Sequence, residues 1–169
     1  MSYLKTSAEY SKFNSQLAKS EKNDCFVRAL ATAAEVDYDT AHQVARDVFK
    51  RENRKGTMGA MIAAAFLKAE EAGMSVGKRQ VKVSVLGKRD IKNKYKVKGE
   101  VIWRQKTLKS FIESHKTGSY IVTVSGHALT VKDGELLDWD AMAYKPTRKV
   151  QTAYKIEPVR EKVVQLSLF

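Results

Sequence analysis

The amino-acid sequence predicts an α+β fold, in which an N-terminal helical part packs on a C-terminal antiparallel sheet. Up to residue 73, apolar residues recur at intervals of three and four, which is the period of a helix. From about residue 77 they alternate with polar residues, as in strands. Helices followed by strands favour α+β over alternating α/β units. The chain has 169 residues, of which 43% are hydrophobic, which suits one domain and excludes a disordered chain.

Capping residues and helix breakers mark four helices in the first half of the chain. Thr6 and Glu9 form a capping-box signal, Asp37 and Thr57 are further N-cap candidates, and Gly73 is a typical stop. The predicted helices span residues 6–19, 25–34, 38–49 and 58–72. The last of these is rich in alanine and other apolar residues, so we expect it to be buried.

The segment from Lys78 to Lys98 combines strand-like alternation with a strong positive charge. It contains nine basic residues and a single acid, Asp90. We predict a β-ribbon that leaves the domain and carries cationic faces. Two roles remain open for it: a solvated excursion without a partner, and an arm that binds an anion such as DNA.

The last third of the chain is its most strand-like part. A short helix over residues 107–114 precedes β-rich segments joined by tight turns, among them Asp133-Gly134. The predicted strands span residues 119–124, 127–132, 135–139 and 149–159.

Composition limits the classes of function. No run approaches the roughly 20 apolar residues of a membrane helix, and the N-terminus lacks a secretory signal, so we expect a soluble, cytoplasmic protein. Cys25 is the single cysteine, and with three scattered histidines it gives no metal-ligand spacing. Because a glycine-rich phosphate loop is also missing, we expect no metal and no cofactor. The net charge of +12 favours a polyanionic partner, with nucleic acid first.

Cys25 and His127 form a candidate catalytic pair. Cys25 follows two polar turn residues at the predicted start of a helix, where the helix dipole favours a thiolate. His127 begins an apolar strand of the predicted sheet. In contrast, His42 and His115 lie within or at the end of helices, and we expect both at the surface. The alternative is that Cys25 is only a small buried hydrophobic residue.

Asp138 is the candidate partner of the histidine. It lies on the strand that follows the Asp133-Gly134 turn, and its distance from that turn is similar to that of His127. Neighbours across an antiparallel hairpin come within hydrogen-bond reach, so this carboxylate can orient the imidazole ring. Asp140 is the reserve choice for the same role.

Two segments carry a resemblance to a known superfamily: Asn-Asp-Cys-Phe-Val-Arg-Ala-Leu, and Gly-Ser-Tyr-Ile-Val-Thr-Val-Ser-Gly-His-Ala-Leu-Thr-Val-Lys-Asp-Gly. Together they resemble the papain-like cysteine peptidases, and more closely the small papain-like proteins encoded by bacteriophages. The resemblance implies a papain-like domain over residues 1–160. It also implies that the protein acts in the cytoplasm of a bacterial host. It also implies acyl chemistry on an amide-like bond, with Cys25 as nucleophile, His127 as the proton donor and Asp138 as the group that holds the ring.

The sequence departs from this family at the oxyanion hole. Papain-like peptidases commonly place a glutamine six residues before the cysteine, where this chain has Lys19. Gln16 and Asn23 are the candidate oxyanion donors, together with the backbone N–H of the cysteine. The departure leaves proteolysis, deamidation and a non-catalytic role open. Gly56 and Thr57 are further candidates for a substrate loop beside the cleft.

The chain ends in a pentapeptide that resembles the peptide with which proteins bind the bacterial sliding clamp: Gln165, Leu166, Ser167, Leu168 and Phe169. All five positions agree with the preferred form of that peptide. The resemblance implies that residues 161–169 are a flexible tail that docks on the clamp, with the last two side chains in an apolar pocket. The alternative is an edge strand packed on the core.

Three functional hypotheses follow. The first is a papain-like cysteine hydrolase, either a peptidase or a deamidase, that is recruited to the replication clamp. The second is a non-enzymatic phage protein that competes with the clients of the clamp. The third is a basic nucleic-acid-binding domain in which the cysteine and histidine are coincidental.

Overall fold

Helices dominate the first half of the chain and strands the second half. The computed structural model describes residues 4–5, 15–138 and 146–160. Its helices are α1 (Gln16–Ser20), α2 (Cys25–Ala34), α3 (Tyr38–Asp47), α4 (Gly59–Ala72), α5 (Lys88–Ile91) and α6 (Leu108–Ser114). Its strands are β1 (Leu4–Lys5), β2 (Met74–Val76), β3 (Arg79–Val85), β4 (Lys92–Val97), β5 (Glu100–Gln105), β6 (Ser119–Val124), β7 (His127–Lys132), β8 (Glu135–Leu137) and β9 (Thr152–Pro158).

Seven strands form one sheet in the order β1-β8-β7-β6-β9-β3-β2. All neighbours in it are antiparallel except β1 and β8, which are parallel. Among the strands described, β4 and β5 pair only with each other and form a separate two-stranded sheet. The predicted α+β class and the mostly antiparallel C-terminal sheet are confirmed.

The sheet lies between two hydrophobic layers. Strand β6 is buried along its whole length, because Ile121 packs with the helices α2, α3 and α4 while Val122 packs with α6 on the opposite face. Helix α2 lies on β7, where the Thr130 hydroxyl donates a 2.9 Å hydrogen bond to the Ala29 carbonyl. This contact fixes the helix that begins with Cys25 against the strand that begins with His127.

Local capping explains where three of the helices begin. Asp37 caps α3 as predicted, because its Oδ1 accepts a 2.7 Å hydrogen bond from the Thr40 N–H. Thr107 caps α6 in the same way, through the Ser110 N–H. Helix α1 begins at Gln16, because Ser15 is an extended N-cap whose side chain accepts a hydrogen bond from the Ala18 N–H. The described part of the predicted helix over residues 6–19 is therefore short, and the capping box of Thr6 and Glu9 lies outside the described residues.

The expectation of a buried fourth helix was wrong. Its N-cap is Met58, not Thr57, and none of the described side chains caps it. Only one face of α4 reaches the core, through Ile62 and Phe66 among others, whereas Leu67 is 61% exposed. An apolar composition predicts burial only where the apolar residues share one face of the helix.

The ribbon predicted over residues 78–98 was also placed wrongly. Strand β3 belongs to the main sheet, because Val81 and Val83 point into the core and pair with β9. The ribbon is instead β4 and β5, which span residues 92–105. Alternation identifies a strand but not its partner, and the partner is decided by which apolar face finds a core. No helix in the described ranges is long and apolar enough to cross a membrane.

Candidate active site

Cys25 is the first residue of α2 and is half-buried. The chain turns sharply just before it, because Asn23 adopts a left-handed conformation with φ of 54°, which asparagine tolerates better than most residues. The backbone N–H of Cys25 therefore lies in the first turn of the helix, where amides have no partner within the helix. The positive end of the helix dipole is at the same place.

His127 lies between an acid and the cysteine. Its Nε2 is 2.7 Å from Oδ2 of Asp138, and both side chains are buried. Cys25 lines the same cleft as His127 and is close enough to contribute to the pKa of the histidine. Burial lowers the pKa of His127, but the interactions with Asp138 and Cys25 outweigh burial and raise this pKa from 6.5 to about 9. The imidazole consequently holds its proton at neutral pH.

The register of the β7–β8 hairpin explains why Asp138 meets the histidine. Asp133 and Gly134 both have positive φ, as a two-residue type I′ turn requires. Thr130 faces Leu137 across the hairpin, which makes the next residue, Asp138, a diagonal neighbour of His127. Cys25, His127 and Asp138, which were selected from the sequence, are thus brought together by the structure.

A cleft of about 650 Å³ opens beside these residues. It is lined by Glu21, Lys22, Asn23, Asp24, Cys25, Arg28, Gly56, Gly126 and His127. Gly126 has a φ of +72° and a Cβ at this position would contact nothing within 4 Å. The turn before the histidine therefore leaves open space beside the cleft.

Asp24 forms the wall of the cleft next to the cysteine. Its Oδ2 accepts a 2.7 Å hydrogen bond from the Tyr38 hydroxyl and a 2.9 Å bond from Nε of Arg28. Burial raises the pKa of Tyr38 far above its usual value, with the hydrogen bond to Asp24 as the second cause. Tyr38 thus remains a hydrogen-bond donor, and Asp24 is held rigidly.

The two side chains proposed as oxyanion donors, Asn23 and Gln16, differ in their position relative to the cleft. The Nδ2 of Asn23 donates a 3.0 Å hydrogen bond to the Arg54 carbonyl, so this amide is engaged in holding a loop. Gln16 is exposed at the start of α1 and does not line the cleft. Lys19, which occupies the position of the family glutamine, is also exposed and outside the cleft. The backbone N–H of Cys25 is the remaining candidate donor.

A buried charged network supports the cleft from behind, and the sequence did not predict it. Oε2 of Glu21 lies 2.6 Å from Nη2 of Arg51 and 3.1 Å from Nε2 of His42. Burial raises the pKa of Glu21, but the hydrogen bonds with Arg51 and His42 outweigh burial and keep this pKa below its usual value. Arg51 also donates a 3.0 Å bond to the Lys22 carbonyl. The network therefore holds the segment that leads to the cysteine.

His42 was expected at the surface and is only 5% exposed. The sequence did contain a signal, because His42 shares a helical face with Tyr38, Ala41 and Ala45, which are all buried. Arg51 gave no such signal, since a basic residue in a polar segment usually lies at the surface. His115 is partly exposed and stacks on Phe111.

Several predicted residues lie outside the described part of the chain. They are Asp140 and the pentapeptide of Gln165, Leu166, Ser167, Leu168 and Phe169. Within the described ranges, Gly56 lines the cleft, whereas Thr57 does not. No group of three or more histidine, cysteine or acidic residues among the described positions could hold a metal ion.

Comparisons with models of protein families, with curated proteins and with solved structures find no match to this chain. The function of the site is consequently inferred from the chemistry of Cys25, His127 and Asp138 in their cleft.

Proposed function

We propose that this protein is a cysteine hydrolase with a papain-like arrangement, and that it cleaves amide bonds. The observation that supports this proposal is the convergence of Cys25, His127 and Asp138, which come from three separate elements, at one open cleft. A histidine that binds a carboxylate on one side and a thiol on the other is the arrangement that activates a cysteine nucleophile. The resemblance of the sequence around Cys25 and His127 to papain-like proteins supports the same function.

The chemistry follows from the positions of the three side chains. Protonated His127 stabilises a thiolate at Cys25, and this sulfur attacks the carbonyl carbon of the substrate, so that the carbonyl π electrons move to oxygen. The backbone N–H of Cys25 donates to that oxyanion. When the tetrahedral intermediate collapses, the C–N bond breaks, and the leaving nitrogen takes the proton from His127. A thioester between the acyl group and Cys25 remains.

Water completes the reaction. His127, now neutral, takes a proton from a water molecule while the oxygen of that water attacks the thioester carbon. The C–S bond then breaks and returns the thiolate, with a carboxylic acid as the product. Asp138 accepts a hydrogen bond from Nε2 throughout and keeps the other ring nitrogen directed at the cysteine. A peptide substrate releases an amine and a glutamine or asparagine side chain releases ammonia, so the product distinguishes a peptidase from a deamidase.

The test is the rate of alkylation of Cys25 by iodoacetamide, followed by mass spectrometry over a range of pH. We expect rapid alkylation of the wild type at pH 6, where an ordinary thiol with a pKa of about 8.5 is almost entirely protonated. We expect a loss of roughly tenfold or more in His127→Ala, because the thiolate loses its counter-ion. Asp138→Asn should give an intermediate rate, because the imidazolium loses its carboxylate.

His115→Ala is the matched control, since it removes an imidazole that stacks on Phe111 rather than lining the cleft. Its alkylation rate should equal that of the wild type. Slow alkylation of the wild type, with the same pH dependence in His127→Ala, would exclude the activated cysteine and with it the hydrolase.

The C-terminal pentapeptide supports a second part of the proposal, namely recruitment to a bacterial sliding clamp. Its five residues agree with the clamp-binding pattern at every position. We expect a purified clamp to bind the wild type with micromolar affinity, and the double variant Leu168→Ala/Phe169→Ala at least tenfold more weakly. Ser167→Asp is the control, because the pattern accepts aspartate there. Equal binding by the wild type and the double variant would refute recruitment through this peptide.

A non-enzymatic clamp ligand is the alternative, and the exposed Lys19 in place of the family glutamine favours it. The two functions differ in their dependence on Cys25. A competitor for the clamp retains its biological effect in Cys25→Ser, whereas a hydrolase loses it while clamp binding stays unchanged.

A further inference from the structure

One face of the ribbon formed by β4 and β5 carries a row of lysines. Successive residues of a strand point to opposite faces, so Lys92, Lys94 and Lys96 share one face. The strand register places Gln105, Trp103 and Val101 opposite them on that same face. We call this surface the lysine–tryptophan face.

Further basic groups surround the tryptophan. Nζ of Lys88 lies 4.8 Å from the centre of the Trp103 ring, a cation–π contact. A depression of about 420 Å³ lies beside it. The depression is lined by Arg89, Lys92, Asn93, Lys94, Trp103 and Lys106. Five of these six residues are thus cationic or aromatic.

The lysines of the lysine–tryptophan face form no ion pair in the described ranges, whereas Lys106, which lines the depression, interacts electrostatically with Asp90. None of the ion pairs there involves a basic residue of the ribbon or of α5. The only acids between residues 88 and 106 are Asp90 and Glu100, and neither is on the lysine–tryptophan face. Like charges on one face of a sheet destabilise it, so an anionic ligand would relieve the repulsion.

The ribbon is also separate from the hydrophobic core. None of its residues is buried, and its side chains contribute to neither core cluster. The Nδ2 of Asn93, near the start of β4, donates a 3.2 Å hydrogen bond to the Ser110 hydroxyl of α6. The base of the ribbon is therefore attached to the domain while the lysine–tryptophan face remains accessible.

We propose that the lysine–tryptophan face binds single-stranded nucleic acid, with phosphates on the lysine row and a base stacked on Trp103. The lysines are two residues apart, or roughly 7 Å, and form a line that follows an extended phosphate backbone. Sequence-independent recognition of single strands combines such a cationic track with an aromatic side chain. A half-exposed tryptophan in the middle of the row offers a stacking surface to unpaired bases, which a duplex does not present.

The experiment measures binding of a fluorescent oligothymidylate of about 20 nucleotides by polarisation, from about 50 to 200 mM salt. The first variant is the triple Lys92→Gln/Lys94→Gln/Lys96→Gln. Its control is Lys68→Gln/Lys78→Gln/Lys82→Gln, which removes the same charge from exposed positions outside the ribbon. The third variant is Trp103→Leu, and a duplex of the same length is the second ligand.

We expect the ribbon triple variant to bind at least tenfold more weakly. The slope of log affinity against log salt should fall by about 2, because each phosphate contact on a single strand contributes roughly 0.7. Trp103→Leu should lose roughly tenfold in affinity while keeping the slope of the wild type, because stacking releases no counterions. The control triple variant should keep most of the affinity.

Equal losses in the two triple variants would show a general charge effect and overturn the proposal. Binding of the duplex as tightly as the single strand, or an unchanged affinity in Trp103→Leu, would overturn it as well. The proposal does not depend on the hydrolase, because Cys25 and His127 are not involved in any of these variants.

Discussion

His127 is the residue on which the chemistry of the candidate site depends. Its Nε2 is bonded to Asp138 in the interior, and the interactions with Asp138 and Cys25 raise its pKa to about 9. A buried imidazole with a single neutral partner would show the opposite shift, because burial alone disfavours the charged form. The charge state of the site at neutral pH is therefore set by the carboxylate behind the ring.

The raised pKa predicts a loss of stability towards alkaline pH. The folded state binds the proton more tightly than the unfolded state, whose histidine has a pKa near 6.5. The stabilisation is thus fully present below pH 6.5 and is lost as the pH rises through about 9. Between these values we expect the free energy of unfolding, from urea denaturation, to fall by on the order of 2 kcal/mol more in the wild type than in His127→Gln. Parallel pH profiles would contradict the assignment.

At the scale of elements, the segment between α1 and α2 is held by the loop that follows α3. Arg51 binds the side chain of Glu21 and the carbonyl of Lys22, and the Arg54 carbonyl accepts from Asn23. A left-handed residue, Lys50, with φ of 56°, turns the chain so that Arg51 can enter the interior. The start of α2 is thereby fixed by residues some 30 positions away in the sequence.

Arg51→Met should therefore be strongly destabilising, because it leaves the Glu21 carboxylate buried without its cation. We expect a loss of about 3–5 kcal/mol in the free energy of unfolding, measured by urea denaturation. We also expect slower alkylation of Cys25 at pH 6, because the segment that leads to the cysteine loosens. Lys55→Met is the control, since it removes an exposed charge from the same loop, and it should change stability by no more than about 0.5 kcal/mol. Similar losses in both variants would contradict a structural role for the network.

At the scale of the whole molecule, the described residues form a domain with a two-faced sheet, and a two-stranded ribbon outside that sheet. Residues 88–106 include eight of the 31 basic residues but only two of the 19 acidic ones. The candidate active site involves α2, β7 and the residue after β8, none of which belongs to the ribbon. Hydrolysis and nucleic-acid binding would thus use separate parts of one molecule.

This separation predicts that the ribbon can be removed. Lys92 and Gln105 face each other in the register of β4 and β5, so an Asn-Gly turn in place of residues 93–104 can join them. We expect the midpoint of thermal unfolding to change by no more than about 4 °C, because none of the removed residues is buried. Alkylation of Cys25 should keep its rate. A larger fall in the midpoint, or slower alkylation, would show that the ribbon supports the active site.

The sequence by itself determined the local elements and part of the site. Helical and alternating periods predicted α2, α3, α6 and the strands β6 to β9, because these patterns reflect interactions between residues close in the chain. The Asp133-Gly134 turn sets the register of its hairpin, so the approach of Asp138 to His127 was predictable.

Only the tertiary structure decided which distant elements meet. It placed β3 in the main sheet rather than in the ribbon, buried Arg51 and His42 against Glu21, and brought Cys25 to a histidine on a separate strand. The sequence does not distinguish a charged residue that faces water from one that pairs with an opposite charge in the interior. The difference depends on the burial that the whole chain achieves, which no local pattern encodes.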